Sequence, residues 1–450
     1  GGESDAEPET ADTLETSAED AEPSLEAMQA EATDNKKRKK SAKEEEDAEM
    51  KTAQGRLLAS LRKSGMLIRF RGDRYQFRHP LLASYLASLT LKQATDEELS
   101  AKLNHPTWKQ AAAYTALHTS LNTLIRRRLA ATPDVLQNNL FDLARLLAYA
   151  PVDAPWRGDV LRNLGNHLVA PNQYPLIRER AAAALLDTRD SNTLLIFRRA
   201  VRNMNPDIRR LACLGMGAIG DVEAIRDLKP LIQDQVAEVQ LAAGMALGAV
   251  GTEEALETML IAFTEGSEQV RQAMAEAFAA MPNEGYAILH EAIEDQDMML
   301  RRAAVFGLRR IRTTWALIAI YRAFLEDEQW YVRSAAQQAF QEIQYGRAES
   351  PTAPYPPLQS IPWLAEWAAS RGETMPSGEG AQQMMLRALQ EGEPPVRALA
   401  AINLGQLGLA NMTKALYSAL RDRQDEVRAA AHKGLAYMQM QIGQPLPTPL

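Results

Sequence analysis

The residues with the clearest capacity for chemistry are arginines. Arg301, Arg302, Arg309, Arg310 and Arg312 crowd together, with Phe306, Trp315, Tyr321, Trp330 and Tyr331 close by. Arg198, Arg199, Arg202, Arg209 and Arg210 make an earlier cluster. Guanidinium groups in a stripe with aromatic neighbours suit phosphate backbones and other polyanions. Arg209, Arg210, Arg302, Arg309, Arg310 and Arg312 are therefore the candidate binding surface. Two other uses compete: ion pairs or solvation within the fold, and contact with an acidic protein. Other chemistry is sparse. His79, His105, His118, His167, His290 and His432 show no paired spacing for zinc. No Gly-x-Ser-x-Gly elbow occurs, and no Gly-Lys pair of the kind a phosphate loop needs. The expectation is no metal, no cofactor, no catalytic residue and no enzymatic activity in these 450 residues.

The elements that must position those arginines repeat along the chain. Ile177, Ile208, Val239, Val270, Leu300, Val332, Val396 and Val427 each open an alanine-rich segment, and the steps are 31, 31, 31, 30, 32, 64 and 31 residues. The long step is two periods with one degenerate unit between. Arginine follows seven of the eight openers: Arg178, Arg209, Arg271, Arg301, Arg333, Arg397 and Arg428, with Gln240 the exception. In Val239–Gly251 the buried-type residues fall at offsets 0, 4, 5, 8 and 11 from the opener, one face of an α-helix. Gly220, Gly251 and Gly408 stand where such helices should end. A second amphipathic segment precedes each opener after the first, as in Glu223–Gln233, Glu254–Thr264, Trp315–Leu325 and Met412–Arg421, and Pro230 should kink the first of these. Acidic residues crowd the turns: Asp207, Glu238, Glu268, Asp297, Asp327, Glu393 and Glu426. They suit the positive ends of the following helices, and the opener arginines are expected to pair with them in a ladder. A unit this short must stack on its neighbours to bury its apolar face.

The rest of the chain differs in character. Residues 1–35 carry twelve acidic groups and no Lys or Arg, so the net charge of −8 hides a remainder of +4. Residues 1–52 have almost no large apolar residues and are expected to be disordered, with the basic run Lys36–Lys40 read as solvated linker. Residues 53–92 predict a short helix ending near Gly65, a β-hairpin of Met66–Phe70 and Arg74–His79 turned by Arg71-Gly72-Asp73, and a helix Pro80–Leu91. That order is the second half of a small winged-helix unit. Residues 93–175 read as divergent helical pairs, with helices expected at Trp108–Leu117, Leu121–Ala131, Val135–Ala150 and Val160–Val169. Regular repeats occupy 176–345 and 381–442, and 443–450 is a tail. The proline-rich excursion and non-standard repeat at 346–380 is open between a functional break and a tolerated insertion. Cys213 reads as a small core residue of a reducing compartment. No apolar run is long enough to span a bilayer. A cytoplasmic location without membrane contact is expected. The chain starts Gly1-Gly2, as expected of a fragment or processed product.

Two resemblances sharpen this reading. The unit of acidic turn, Val-Arg, alanine-rich helix and Leu-Gly-x-Ile-Gly resembles the short HEAT repeat, also called PBS-lyase-like. This implies an all-α, right-handed HEAT-repeat α-solenoid whose second helices line a concave face. His290-Glu291 is similar to one His-Glu pair of the HEAT-repeat deoxyhypusine hydroxylases, which use several such pairs; one pair is expected to be structural. Tyr75–Ser88 resembles the stretch closing the winged-helix region of NACHT-type STAND NTPases, with Ser84 where Glu or Gln is usual and Leu82 where Phe is common. The resemblance implies that His79 faces the β-phosphate of ADP in a nucleotide-binding core this chain lacks. It also implies that the repeats are a sensor acting on that core through the winged helix. The partner is then a protein or the chain's own NTPase module, with oligomers only through that module. The alternative is a free-standing HEAT-repeat nucleic-acid or anion binder.

Overall fold

The computed structural model describes residues 52–70, 74–344 and 361–448. The expected acidic tail, the Arg71-Gly72-Asp73 turn and the proline-rich part of the excursion lie outside the described residues. The chain forms two compact units that meet in sequence at Ala83/Ser84. In the first unit, helix α1 (Ala53–Lys63) is capped by the Thr52 hydroxyl, which accepts from the Gly55 N–H. Strands β1 (Leu67–Arg69) and β2 (Tyr75–Phe77) pair antiparallel, Leu67 opposite Phe77. Helix α2 (Pro80–Leu91) follows and runs across the division.

The second unit is helical throughout its described length apart from a single bridge between Asp134 and Pro447. It starts with α3 (Asp96–Asn104), which the apolar pattern did not announce. A capping box, Thr95 with Glu98, nucleates it. Then come α4 (Lys109–Tyr114), α5 (Asn122–Ala130), α6 (Asn138–Leu147) and α7 (Arg157–Val169). The helix expected at Val135–Ala150 begins only at Asn138. Residues 134–135 bond the C-terminal tail instead, Val135 N–H to the Leu446 carbonyl at 2.8 Å, and Gln137 takes φ +55°.

From Pro175 the period rules. The second helices of the units are α8 (Pro175–Asp187), α9 (Pro206–Ile219), α10 (Ala237–Val250), α11 (Glu268–Phe278), α12 (Met298–Leu308) and α13 (Trp330–Gln344), each packed on the next. Openers Ile177, Ile208, Val239, Val270 and Val332 are buried, and so is Cys213, whose thiol burial pushes up to about 12. Gly220, Gly251 and Gly408 close their helices at φ near +70°. The first helix of the third unit is broken as expected at Pro230, into a four-residue α turn between 3₁₀ turns.

The last two regular units do not simply extend this series. After helix Pro362–Ser370 and helix Glu379–Glu391, α14 (Pro394–Leu407) and α15 (Asp425–Ile442) pack tightly on each other. Their apolar core is separate from that of residues 91–339 and takes in Val135 and Leu136. The C-terminal repeats thus return to the start of the array and seat on the turns opening α6 and α8. Tyr174 stacks on His432 with centroids 4.1 Å apart, and the Thr448 N–H donates to the Pro133 carbonyl.

Close approach sets this packing. A Cβ on Gly405 would lie 2.2 Å from the Gly434 carbonyl oxygen. Gly405→Leu should therefore force α14 and α15 apart and cost about 1–3 kcal/mol or more, read as a fall in Tm. Gly158→Ala, with nothing within 4 Å of the new methyl, should leave Tm unchanged or higher.

Candidate functional site

The opener arginines do form a ladder, with one consistent geometry. Arg301 donates from Nη1 to the carbonyls of Asp295 and Gln296 before its own helix, at 2.9 and 3.0 Å. Its Nε and Nη2 grip Asp327 of the next unit at 2.8 and 3.1 Å. Arg209 does the same with Asn203, Met204 and Asp234, and Arg397 with Gly392 and Asp422. Arg271 bonds the Gly266 carbonyl and Asp297. Each of these aspartates also accepts the N–H two residues on, so one carboxylate fixes its own turn and the preceding unit. Where no such carboxylate lies among the described residues the arginine bonds carbonyls: Arg178 takes Leu168 and Ala170, and Arg333 takes Asp327 and Glu328. Arg428 bonds the Asp422 carbonyl and pairs with Asp425. Gln240 replaces the fork with a single bond to the Asp234 carbonyl.

The expected acidic partners are corrected by this geometry. Of the seven, Asp297 and Asp327 are ladder carboxylates, whereas Asp207, Glu238, Glu268, Glu393 and Glu426 are not. The active position falls five residues before the opener in Asp234, Asp327 and Asp422. The guanidinium bonds of Arg271 and Arg397 hold Asp297 and Asp422 below the usual carboxylate range. At Asp234 and Asp327 burial opposes that shift, but the bonds from Arg209 and Arg301 prevail. Arg157 was missed altogether. It binds Asp190 and the carbonyls of Leu147 and Ala150 in the same way, outside the regular period.

The candidate binding arginines are mostly engaged by carboxylates. Arg209 belongs to the ladder, and Arg210 pairs with Glu179 at 3.7 Å. Arg302 bonds Glu268 and lies over the Tyr331 ring at 4.1 Å. Arg309 joins buried Glu276 at 3.1 Å to Glu342 at 2.5 Å, and Arg310 also bonds Glu276. Arg198 and Arg202 share Asp227. Arg312 alone of the six is without an acidic partner among the described residues; it lines a pocket with Leu317 and Ile343. A phosphate would have to compete with these pairs, so the geometry disfavours the anion-binding stripe. His290 packs its ring on Trp315 at 5.7 Å, and His79 is exposed between β2 and α2. Among the described residues no group of three or more His, Cys, Asp or Glu is placed to hold a metal, and no helix is long and apolar enough to cross a membrane.

A further surface open to a partner is one the arginine pattern did not reveal. α8, α14 and α15 bound a groove of about 480 Å³. Leu176, Ala398, Leu399, Ile402, Ala429 and Ala430 make its apolar floor, with Glu179, Glu426 and Lys433 at the rim. The joint that assembles it is polar and buried. Gln439 donates to Asp134, whose other oxygen accepts from the Asn138 N–H at 2.7 Å. His432 bonds the Val135 carbonyl through Nε2 at 3.1 Å, while its Nδ1 is buried and unpartnered. The ring is thus the neutral Nε2–H tautomer, and burial lowers its pKa to about 4.

Residues 161–248, 194–279 and 256–341 match the family model described as HEAT repeats. With the helix pairs above, this makes the chain an all-α HEAT-repeat solenoid. Human deoxyhypusine hydroxylase in complex with glycerol is similar at 20% identity and a TM-score of 0.29, over 64% of this chain and 99% of that one. The CpcE–CpcF complex of phycocyanin lyase from Nostoc sp. PCC7120 is similar at 17% identity and 0.22, over 55% and 88%. An engineered protein is similar at 16% and 0.23, over 79% and 98%. No curated protein matches the chain.

Two outcomes follow from this geometry. Because the folded joint holds His432 neutral, the unfolded state binds the extra proton. Its stability contribution is whole above the ordinary imidazole value of 6.5 and drains away as the pH falls to about 4, by up to about 3 kcal/mol. Denaturant titrations through that interval should show the loss, and His432→Phe should flatten it. Arg301→Ala should cost roughly 1–3 kcal/mol, and a double-mutant cycle with Asp327→Ala should show strong coupling, since each leaves the other poorly paired.

Proposed function

We propose that this chain is a non-catalytic protein-interaction scaffold whose partner sits in the groove between α8, α14 and α15. The observation that carries the reading is the groove itself: an apolar floor, with a sparse charged rim, built by helices from two distant parts of the chain. A segment seated there touches both sets of repeats at once and strengthens their joint by mass action. Ion pairing of the arginine clusters favours a protein over nucleic acid as the partner.

The finer reading is that the chain is the regulatory C-terminal region of a NACHT-like STAND signalling NTPase. Its support is the Tyr75–Ser88 stretch, the hairpin followed by α2, and the exposure of His79 between them. A ligand on the repeats would then bias the core from a closed, ADP-bound state to an open one, with His79 in the coupling element.

A photo-crosslinking residue at Leu399, in cells making the full chain, tests the scaffold reading. A defined protein adduct that Ala429→Trp abolishes is expected; adducts indifferent to that filling of the groove would refute it. For the finer reading, the coding sequence upstream of Gly1 should encode an in-frame phosphate loop, and a start codon close before Gly1 would exclude it. The nucleic-acid alternative requires binding that weakens steeply with salt and is lost on charge reversal of Arg309 and Arg310.

A further inference from the structure

The last two units carry an arginine pair that the ladder does not use. Arg421 and Arg423 flank the ladder aspartate Asp422. That carboxylate is already filled: Oδ1 accepts from Arg397 Nη2 and the Gln424 N–H, and Oδ2 from Arg397 Nε, all at 2.9 Å. Arg421 and Arg423 are exposed, and neither side chain meets an acid among the described residues. Other acids of these turns are engaged or lie elsewhere. Glu391 bonds Arg371 at 2.7 Å, Asp425 bonds Arg428, and Glu393 stands exposed at the start of α14.

The pair lines a pocket of about 400 Å³ between helix Glu379–Glu391 and helix Thr413–Ala419. Arg397, Gln390 and Ser418 line it too, and Asp422 is its one acid. Three guanidiniums against one carboxylate leave two positive charges in surplus. Nothing in the repeat demands that charge. The flanks of the ladder aspartate are Gln233 and Gln235 around Asp234, and Glu326 and Glu328 around Asp327. All of these flanking residues are exposed. The matching pocket beside Asp327 is lined by Glu294 and Glu326 with Arg322. One place in the repeat is thus neutral, acidic or basic according to side chains the packing leaves free.

We infer that the pocket lined by Arg397, Arg421 and Arg423 binds one phosphate monoester. Such a group carries about −1.5 to −2 charges near neutral pH, which the surplus matches. A carboxylate or a phosphodiester brings only one. Guanidinium N–H groups, the Gln390 amide and the Ser418 hydroxyl supply donors for its oxygens. A nucleic-acid strand needs positive charge repeated along its track, and the equivalent places at Asp234 and Asp327 withhold it. The pocket therefore suits a single phosphate, on a phosphorylated side chain of a protein or on a small molecule. These side chains are not those of the groove, and the inference does not depend on the scaffold reading.

Calorimetric titration of the full chain tests the inference, with inorganic phosphate, glycerol phosphate and N-acetyl-phosphoserine methylamide at constant ionic strength. One saturable site is expected, with dimethyl phosphate, a diester, bound about tenfold more weakly or worse. Arg421→Gln with Arg423→Gln should weaken each monoester about tenfold or more. That variant recreates the flanks of Asp234 and leaves Arg397 on Asp422, so its Tm should be unaltered. Affinity should also fall as the pH drops through the second ionisation of the phosphate, at about 6. Tighter binding of glycerol phosphate would name a small molecule as the source, and tighter binding of the phosphoserine compound a protein. No saturable binding, a diester held as well as the monoesters, or indifference to the double variant would overturn the site.

Discussion

A 31-residue helix pair cannot bury its own apolar face, and the rest of this structure follows from that deficit. Each unit must lie against a neighbour, and alanine and glycine at the crossings let the helices come close enough to exclude water. The Arg–Asp ladder then works at the turns, where stacking alone leaves carbonyls and helix N-termini without partners. One aspartate caps its own turn and holds the arginine of the unit before it. Units are thereby fixed in orientation as well as packed, and a break in the ladder is borne where Gln240 and Arg178 make do with carbonyls.

The same deficit shapes the C-terminal repeats. Their core is closed by Val135, Leu136 and Tyr174, contributed by turns near the beginning of the array. The joint mixes stacked rings with buried polar groups, Asp134, Gln439 and His432, each of which demands a specific partner. Such groups fix one register where apolar contact alone would tolerate several. The groove exists because of this return: without it α8 would not face α14 and α15.

Much of the architecture was legible. Openers, period, C-cap glycines and the helix–hairpin–helix order at 53–91 are local signals, written in residues a few positions apart. The ladder's arginines were legible too, but not all its carboxylates. The turns hold several acids, and the bond to the N–H two residues on does not single one out: Asp295 makes it too, yet Arg271 takes Asp297. α3 escaped notice because its signature is a capping box rather than an apolar stripe. The return of α14 and α15 was not legible, since a 31-residue period looks the same whichever surface the units stack on. The arginine clusters misled for a related reason: composition showed the bases, while Glu276, Glu268 and Asp227, which engage them, come from neighbouring helices.

The seating of the C-terminal repeats on the start of the array is the central claim, and one measurement reaches it directly. A protease site introduced between Ala348 and Ser350 allows the chain to be cut between α13 and the C-terminal repeats in the folded state. If Val135, Tyr174 and His432 hold the joint, the two pieces stay together on size exclusion without the covalent link. If the pieces separate under native conditions at neutral pH, the C-terminal repeats are not seated there and the account is wrong.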